Sequence, residues 1–451
     1  MKKGWQKKTL GEVCSLLNRG ISPMYLESGG VCVLNQKCIR DHEVSYEPSR
    51  RHDSKAKKVA EERFVKLGDV LVNSTGTGTL GRVAQVREEP EEATTVDSHV
   101  TIVRPKPGLF HLDFFGYMLV IIEDAIKEAG EGCGGQTELA RSVLAERFGV
   151  SYPESLAEQQ RIVGLLDEAF EGLATAKANA EKNLQNARAL FESALTTAMS
   201  GKLTKEWRKS HPHVETASTL LDQILTKRRR AWSKKGEYPE PTPPATNHSQ
   251  SIPASWTWTN LSQLKTFSLY GPRFSNDDYS QTGVLVLRTS DIDEHGKVNS
   301  DTAPKLKMTE EEFDKYRCKK GDILITRTGS LGTLAVFDDD TRAIPGAYLI
   351  QFRLGFSEVI PWFLFAFFKT PAAQARLTSG GTGAGIQNLN VPTLEAIPIP
   401  FPPLDEQREI VSQLNTLSEE TQRLARLYER KHAALEALKK SLLHQAFTGE
   451  L

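Results

Sequence analysis

The chain has 451 residues, 39% of them hydrophobic and 25% charged, and its formal net charge at pH 7 is zero. That length allows two to four domains, each with its own core, and the composition is typical of an ordinary soluble globular protein. No apolar run reaches the roughly 18 residues of a membrane span, and no apolar signal segment follows the N-terminal residues, so we expect a cytoplasmic location.

The basic residues are clustered, although a net charge of zero argues weakly against a nucleic-acid partner. Residues 202–235 hold ten Lys or Arg against three acidic residues. A second cluster contains Arg50, Arg51, Lys55, Lys57 and Lys58. Each cluster fits either a solvated basic face or a phosphate-binding surface, and both interpretations stay open.

Residues 1–155 are predicted to form a mixed α/β globular domain. Gly68 and Asp69 precede a β-branched run that ends near Asn73, and a glycine-rich turn follows. This pattern predicts a hairpin, with its second apolar strand after Gly81.

Residues 156–203 are predicted to form one long helix, which Gly201 is placed to end. Apolar or small residues recur along it at steps of three and four positions. These residues are Ile162, Leu166, Ala169, Leu173, Ala176, Ala180, Ala187, Leu190 and Ala194.

Residues 204–252 are predicted to form a connector. Its first part is basic and includes a short amphipathic stretch, and its last part is proline-rich, polar and aperiodic. This composition predicts a flexible tether rather than a domain. The apolar residues of the amphipathic stretch are Val214, Leu220, Leu221 and Ile224.

The chain then repeats itself, with a second globular domain over residues 253–403 and a second long helix over residues 404–451. The two helices match without a gap 248 positions apart, with 15 identical pairs in 48, and Gly449 corresponds to Gly201. The stripe of the second helix contains Ile410, Leu414, Leu417, Leu424, Leu435, Leu438 and Leu442, with Thr421, Tyr428 and Lys431 between them.

The first stripe is rich in Ala where the second carries Leu or Tyr, so the two helices could approach closely, and we expect them to pair. Each would be a rod of about 65 Å. The alternative, in which each helix packs only on its own domain, stays open. The sequence therefore predicts a mixed α/β (α+β) fold, with two globular domains separated by two long antiparallel coiled-coil helices in a pseudo-two-fold internal repeat.

Residues that would carry catalytic chemistry are missing. The sequence has no Gly-x-x-x-x-Gly-Lys-Ser/Thr phosphate loop and no Asn/Asp-Pro-Pro-Tyr/Phe motif of an amino-methyltransferase. His211 and His213, the only close pair of histidines, have no metal-ligand partners nearby. The cysteines are odd in number and predict reduced core thiols rather than disulfides or a zinc site: Cys14, Cys32, Cys38, Cys133 and Cys318. We therefore expect the chain to recognise a ligand rather than to catalyse a reaction.

Polar residues follow matched strands in the two halves. Asn, Gln, Arg and Lys side chains can read base edges, and Ser and Thr can reach phosphates. The positions match but the residues differ, as expected if each domain reads a different sequence, whereas the alternative makes them ordinary turn residues. The candidates are Asn35, Gln36, Lys37, Asn73, Ser74 and Thr75 in the first half, and Arg288, Thr289, Ser290, Thr326, Arg327 and Thr328 in the second.

Two glycine-rich stretches that precede the long helices form a further matched pair. Such stretches let the backbone approach DNA closely and expose amide groups to phosphate. The candidate DNA-binding side chains there are Gln136, Gln387 and Asn388.

The chain resembles the specificity subunit of type I restriction-modification systems over essentially its whole length. One motif is Leu-x-Glu-Gln-x-x-Ile-Val at residues 156–163 and 404–411, preceded in the second copy by the proline-rich residues 397–403. The others are Ala-Phe-Thr-Gly-Glu-Leu at residues 446–451 and Gly-Asp-Ile-Leu-Ile at residues 321–325, just before Arg327-Thr328-Gly329. The first copy departs from the pattern, since residues 150–155 replace the proline-rich segment.

The resemblance implies a non-catalytic subunit with two target-recognition domains. Each would read one half of a bipartite, asymmetric site in double-stranded DNA, and the paired helices would set the gap between the halves. By the same resemblance, the helices would dock two modification (M) subunits, which bind S-adenosylmethionine and methylate adenine. Restriction (R) subunits that use ATP would join the complex, and Mg would also lie on partner subunits. The alternative is a coiled-coil scaffold whose globular domains bind protein.

Overall fold

The computed structural model describes residues 3–130, 138–233, 235–245, 250–379 and 388–451. The chain divides into two compact units: unit 1 is Met1–Lys182 with Tyr428–Leu451, and unit 2 is Asn183–Leu427. Both divisions fall inside the long helices, whereas the sequence predicts boundaries at the helix starts. The unit boundaries differ from the predicted domain boundaries because the ends of both helices belong to the core of a globular unit.

Unit 1 contains short strands followed by helices. Its strands are β1 (Trp5–Thr9), β2 (Cys14–Arg19), β3 (Tyr25–Leu26), β4 (Val31–Leu34), β5 (Ile39–Arg40), β6 (Glu43–Val44), β7 (Arg50–His52), β8 (Val70–Asn73), β9 (Val83–Gln85), β10 (Thr94–Val96), β11 (Val100–Pro105) and β12 (Gly149–Pro153). Its helices are α1 (Leu10–Val13), α2 (Leu112–Ile121), α3 (Glu123–Gly130), α4 (Arg141–Glu146), the first part of α5 (Leu156–Met199) and the last part of α13 (Leu404–Thr448).

In unit 1, β1 pairs with β12 and β5 with β6 in two-stranded sheets, and eight strands form two four-stranded sheets. One is antiparallel, in the order β2-β11-β8-β9, and the other has the order β10-β4-β7-β3, with β10 and β4 parallel. Val70 and Val72 of β8 belong to the core shared with the helices, and Leu71 belongs to the core between the sheets. Because successive side chains of a strand point to opposite faces, both faces of β8 are covered, which explains its uninterrupted apolar run.

Unit 2 repeats this arrangement after two extra helices. Its helices are the last part of α5, α6 (Lys205–Ser210), α7 (Ala217–Arg230), α8 (Leu261–Leu264), α9 (Glu310–Tyr316), α10 (Pro361–Phe368), α11 (Pro371–Ser379), α12 (Val391–Glu395) and the first part of α13 (Leu404–Thr448). Its strands are β13 (Thr257–Thr259), β14 (Phe267–Tyr270), β15 (Tyr279–Ser280), β16 (Val284–Leu287), β17 (Lys305–Leu306), β18 (Asp322–Thr326), β19 (Leu334–Phe337), β20 (Ala343–Pro345), β21 (Leu349–Arg353) and β22 (Ile399–Phe401).

The sheet topology of unit 2 matches that of unit 1. The antiparallel sheet has the order β14-β21-β18-β19, and the mixed sheet has the order β15-β17-β16-β20, with β16 and β20 parallel. In β18, Ile323 and Ile325 face the helices and Leu324 faces the second sheet, as the residues of β8 do in unit 1. The predicted α+β fold and internal repeat are therefore confirmed.

The long helices pair within each unit. In unit 1, Arg161 of α5 donates to the carbonyl of Leu451 at 3.1 Å, and Lys177 forms an ion pair with Glu436 of α13 at 2.8 Å. Residue numbers increase along α5 where those of the contacting residues of α13 decrease, so the two helices run in opposite directions. The predicted antiparallel pairing is therefore confirmed. In unit 2, the two helices share a core that contains Ala194, Ala198, Ile410 and Leu414.

The predicted stripes are not buried throughout. Leu190 is 52% exposed, Leu438 is 47% exposed and Lys431 is also exposed. Helix spacing places all three on the stripe, but the partner helix does not cover them. Both helices end slightly before the predicted positions, and Gly201 and Gly449 follow with φ of 73° and 79°. This left-handed conformation confirms that the two glycines end the helices.

The connector is more ordered than the predicted tether. Helix α7 contains Leu220, Leu221 and Ile224 of the expected amphipathic stretch, whereas Val214 precedes the helix, and the apolar face of α7 joins the core of unit 2. Thr216 caps its first turn by accepting a hydrogen bond from the backbone of Thr219. The sequence showed the apolar face but not the surface that covers it. The buried residues of α7 are Ala217, Leu220, Leu221 and Ile224.

The cysteines that the structure describes, Cys14, Cys32, Cys38 and Cys318, are buried and form no disulfide. Burial raises the pKa of the Cys14 thiol to about 12 and that of Cys38 to about 11. The four described cysteines are core residues, as predicted, and Cys133 lies outside the described residues. Within the described ranges, no helix has both the length and the apolar character that crossing a membrane requires.

Candidate nucleic-acid interface

The candidate surface of unit 1 lies where the buried strand β8 ends. The backbone N–H of Ser74 donates to the carbonyl of His99 at 2.8 Å, and the backbone N–H of Leu139 donates to the carbonyl of Ser74 at 2.8 Å. Three segments that are distant in sequence therefore meet at this residue.

Unit 2 has the same backbone frame around Arg327, which follows β18. The backbone N–H of Arg327 donates to the carbonyl of Tyr348 at 2.8 Å, and the backbone N–H of Leu389 donates to the carbonyl of Arg327 at 2.7 Å. Arg327 and Tyr348 thus occupy the positions that Ser74 and His99 occupy in unit 1. The frame is shared, but the side chains on it are different.

A matched glycine follows the neighbouring strand in each unit. Gly20 comes after Arg19 at the end of β2, and Gly271 comes after Tyr270 at the end of β14. A Cβ atom on either glycine would overlap a backbone carbonyl, that of Val96 in unit 1 and that of Gly346 in unit 2. The pairs Arg19-Gly20 and Tyr270-Gly271 both lie at this surface. They are a sequence signal for it that the prediction missed.

The surface of unit 2 is cationic and aromatic. We call Tyr270, Arg327, Thr328, Tyr348 and Asn388 the Arg327 patch. The guanidinium of Arg327 lies 4.6 Å from the centroid of the Tyr270 ring, and Tyr348 is 59% exposed. Thr328 forms an antiparallel bridge with Asn388. A guanidinium held against an aromatic ring can hydrogen-bond to a base edge or stack on a base.

The surface of unit 1 has different chemistry. We call Arg19, Gln36, Lys37, Thr75 and His99 the His99 patch. Thr75 Oγ1 lies 2.7 Å from His99 Nδ1 and accepts a hydrogen bond from Gln36 Nε2 at 2.7 Å. Lys37 and His99 are exposed. These side chains are smaller and less aromatic than those of the Arg327 patch.

Arg19 is held by two contacts. Its Nη1 atom lies 2.5 Å from Glu138 Oε1, and its Nη2 atom donates to the carbonyl of Leu139 at 2.8 Å. Glu138 pairs with Thr75 as Asn388 pairs with Thr328 in unit 2. A carboxylate and an amide therefore occupy equivalent positions in the two units.

Three of the predicted DNA-binding residues are buried, and this corrects the prediction. Asn73, Ser74 and Thr326 are at most 1% exposed. Asn73 Nδ2 donates to the Gln36 carbonyl at 3.2 Å, and Ser74 Oγ lies 2.5 Å from Thr101 Oγ1. Their side chains point into the unit at the strand ends, so they support the surface and do not reach a ligand.

Asn35 serves as a turn residue. Its Oδ1 atom accepts a hydrogen bond from the backbone of Lys37 at 2.8 Å, and its Nδ2 atom donates to the carbonyl of Pro48 at 2.7 Å. The side chain stabilises the loop that presents Lys37, which agrees with the alternative interpretation of this position.

The equivalent loop of unit 2 contains Arg288, Thr289 and Ser290. Arg288 forms an ion pair with Asp291 at 2.8 Å and donates to the carbonyl of Thr302 at 2.7 Å, yet its side chain is 43% exposed. The Asp291 carboxylate raises the pKa of the guanidinium. Ser290 is exposed and Thr289 is half-buried. Gln136 and Gln387 lie outside the described residues.

The basic run of the connector is partly occupied by contacts inside unit 2. Lys227 forms an ion pair with Glu358, Arg229 forms one with Glu240, and Arg228 donates to the carbonyl of Ser262. These contacts favour a structural role for this run over phosphate binding.

The basic cluster of unit 1 is more open. The guanidinium of Arg50 lies 4.6 Å from the centroid of the half-exposed Tyr25 ring, and Arg51 pairs with Glu92 at 2.6 Å. Lys55 and Lys58 are exposed. Among the residues that the structure describes, no group of His, Cys, Asp and Glu is arranged to hold a metal ion.

Comparison with known proteins gives a consistent result. Residues 259–429 match the family model for the type I restriction modification DNA specificity domain. The EcoBI specificity subunit of Escherichia coli is 24% identical over 300 residues, which cover 66% of this chain and 57% of that protein. The EcoKI specificity subunit of Escherichia coli K12 is 25% identical over 305 residues, which cover 66% of this chain and 56% of that protein. The chain thus spans a little over half the length of these relatives.

Solved structures share the fold. A chain from a study of complex assembly and conformational transition in a type I R-M system has a TM-score of 0.73 at 16% identity, covering 100% of this chain and 99% of that one. The HsdS subunit from Thermoanaerobacter tengcongensis has a TM-score of 0.57 at 17% identity, covering 100% of this chain and 98% of that one.

Proposed function

We propose that this chain, whose residues 259–429 match the type I restriction modification DNA specificity domain, is a specificity subunit and selects the DNA sequence on which such a complex acts. The observation that carries the proposal is the shared backbone frame of the two units with different side chains on it. Arg327 and Tyr348 occupy the positions of Ser74 and His99. A reader of two unlike half-sites needs such a constant frame with variable side chains.

Each unit would read one half of a bipartite, asymmetric site in double-stranded DNA. In unit 2, Arg327 offers the donors that pair with guanine in the major groove. In unit 1, Gln36, Thr75 and His99 offer donors and acceptors of a different geometry, and Lys37 offers a phosphate contact. Four of the candidate residues would stabilise the strand ends and loops beneath these surfaces without contacting DNA: Asn35, Asn73, Ser74 and Thr326.

The long helices would set the spacer between the half-sites. Helices of 44 and 45 residues are each about 65 Å long, or about two turns of B-DNA. Inserting one heptad after Leu173 would lengthen α5 by about 10 Å, or roughly three base pairs. We expect this insertion to change the spacer length or abolish activity. An active complex with an unchanged spacer would contradict the proposal that the helices set the spacer.

The same helices would dock two M subunits, and R subunits would join through them. Exposed apolar side chains on the helices support this proposal: Leu165, Leu190, Leu427 and Leu438 are each more than 40% exposed. S-adenosylmethionine, ATP and Mg would be bound by those partners, and this chain would be non-catalytic.

The test is an exchange of residues 1–155 for the equivalent domain of a relative, followed by methylome sequencing of a host that carries the complex. We expect one half-site to change while the other half-site and the spacer stay the same. A change in both halves would contradict the modular proposal. DNA binding by the assembled complex should also weaken steeply as salt rises, whereas a protein-binding scaffold would retain no specific DNA.

A further inference from the structure

Unit 1 contains a cavity of about 770 Å³ on which none of the proposed DNA-reading residues lies. It is bordered by the turn between β5 and β6, by β9 and the segment that follows it, by α2, and by Phe170 of α5 and Leu443 of α13. The turn residues Asp41 and His42 have positive φ of 53° and 65°, so the turn is held in a conformation that non-glycine residues rarely adopt.

The equivalent place in unit 2 is filled by an aromatic ring. The helices α2 and α10 begin alike, since the backbone N–H groups of His111 and Ile360 each donate to the glutamine of the repeated helix motif. Counting from these residues, Gly116 of α2 corresponds to Phe365 of α10. The Phe365 ring packs so closely on Gly296 that a Cβ atom there would overlap it. At the corresponding position of unit 1, Gly116 borders the cavity and has no side chain that could occupy it.

A second replacement makes the cavity polar. In β9, Gln85 pairs with Val70, and the equivalent residue of β19 is Val336, which pairs with Ile323. Gln85 is 7% exposed and borders the cavity, and its Nε2 atom donates to the carbonyl of Leu112 at 2.6 Å. Its Oε1 atom has no hydrogen-bond partner among the described residues.

The unpartnered oxygen points to a missing donor. Oε1 lies against Gly116, where a Cβ atom would overlap it, so the amide occupies part of the space that the glycine opens. A buried carbonyl oxygen without a donor destabilises the fold, and a ligand that supplies an N–H group would remove that cost. The side chain therefore provides an acceptor at the inner end of the cavity.

The border of the cavity is strongly acidic. Arg87 and Lys439 are the lining residues with a permanent positive charge; Arg87 lies beside Asp113 and the Tyr117 ring, and Lys439 lies over Phe170. Among the acidic residues, Glu92 is paired with a basic residue from outside the cavity. The acidic residues are Asp41, Glu43, Glu88, Glu89, Glu91 and Glu92. This charge repels phosphate, so the cavity is unsuited to DNA, and it attracts a cation.

We propose that this cavity binds an arginine side chain carried by a basic segment of a partner protein. The planar guanidinium would donate to Gln85 Oε1, the acidic border would neutralise its charge, and its stem would pack on the apolar wall. Valine, tyrosine and phenylalanine side chains form that wall: Val44, Tyr46, Val83, Val120 and Phe170. The inference concerns a protein contact and stands whether or not the chain reads DNA.

The test uses the full chain and a fluorescent hexa-arginine peptide, with hexa-lysine and spermidine as competitors. The variant Gly116→Phe with Gln85→Val rebuilds the filled arrangement of unit 2 and leaves every charge on the border unchanged. We expect it to bind the arginine peptide about tenfold or more weakly than the natural chain. Because nonspecific attraction to the acidic border is the same in both proteins, the difference isolates the cavity.

A second variant, Glu89→Gln with Glu91→Gln, changes only exposed border residues and keeps the test valid if the filled variant fails to fold. It should weaken peptide binding and reduce its salt dependence. Equal binding by the natural chain and either variant would overturn the proposal. So would equal competition by hexa-lysine or spermidine, since the site would then hold any cation rather than arginine.

Discussion

The Oε1 atom of Gln159 accepts a hydrogen bond from the backbone N–H of His111 at 2.8 Å. The Nε2 atom of the same side chain donates to the carbonyls of Pro153 at 2.9 Å and Leu109 at 3.2 Å. Gln407 makes the equivalent three bonds in unit 2, and both side chains are completely buried. The glutamine of the repeated motif thus fastens the start of each long helix to the globular part of its unit.

Replacing Gln159 with Ala should destabilise unit 1 by about 2–4 kcal/mol, because it leaves a buried backbone donor and two carbonyls without partners. Urea unfolding of the full chain measures this change. Gln160 is the matched control, since it is the same residue type at the next position and is exposed. Gln160→Ala should change stability by less than about 0.5 kcal/mol, and equal effects of the two substitutions would contradict the anchoring role.

Replacing Gly20 with Ala should destabilise the chain by about 2–3 kcal/mol or more, because the added Cβ overlaps the Val96 carbonyl and forces the strands apart. Thermal unfolding measures the loss. Gly164→Ala is the control, because no heavy atom lies within 4 Å of a Cβ built there. Within helix α5 this control should be stabilising by about 0.5–1 kcal/mol. Tolerance of the first substitution would mean that the close approach is not required.

Replacing Arg327 with Ala should relax the specificity of one half-site and weaken binding there by about 1–3 kcal/mol. The lysine variant should also lose specificity, because an ammonium group has no planar face to stack on Tyr270. Quantitative binding of the assembled complex to sites with single-base changes measures both effects. Arg423→Ala on α13 is the matched control, since Arg423 is exposed and pairs with Glu420. A uniform loss over all sequences would assign Arg327 to phosphate contact.

The stability that Glu123 provides should depend on pH. Burial raises the pKa of this carboxyl, but the hydrogen bonds from His42 and Lys127 outweigh burial, so its pKa lies below the ordinary value of 4.5. A group with a lowered pKa in the folded chain stabilises it above the unfolded pKa and loses that contribution as pH falls. Glu123→Gln should therefore cost most at neutral pH, and the cost should shrink below about pH 4.5. A cost that does not vary with pH in unfolding experiments would exclude the charge as its source.

Much of the fold was predictable because it is encoded locally. Helices α5 and α13 follow from apolar residues at steps of three and four, and their ends follow from Gly201 and Gly449. The strands β8 and β18 follow from their apolar runs. For the connector helix α7, the sequence contained the apolar face but could not show what covers it.

The candidate surfaces were only partly predictable. Gln36, Lys37, Thr75 and Arg327 were recognised because they follow matched strands, but Asn73, Ser74 and Thr326 were included with them. The pairing of β8 with β11 and of β18 with β21 decides whether a side chain at the strand end points inward or outward. A shift of the pairing by one residue would reverse that direction. His99 and Tyr348 were missed because they lie just before those other strands, far in sequence from the matched strand ends.

The amino-acid sequence by itself determined that the chain is built twice, where its long helices run and which residues end them, since periodicity and repetition are properties of neighbouring residues. Only the tertiary structure decided which polar residues share a surface and which are buried, because that depends on contacts between distant strands. It also decided that a cavity lies beside Gly116 in unit 1, whereas the Phe365 ring occupies the corresponding place in unit 2. The consequence of a missing side chain is set by the residues packed around it.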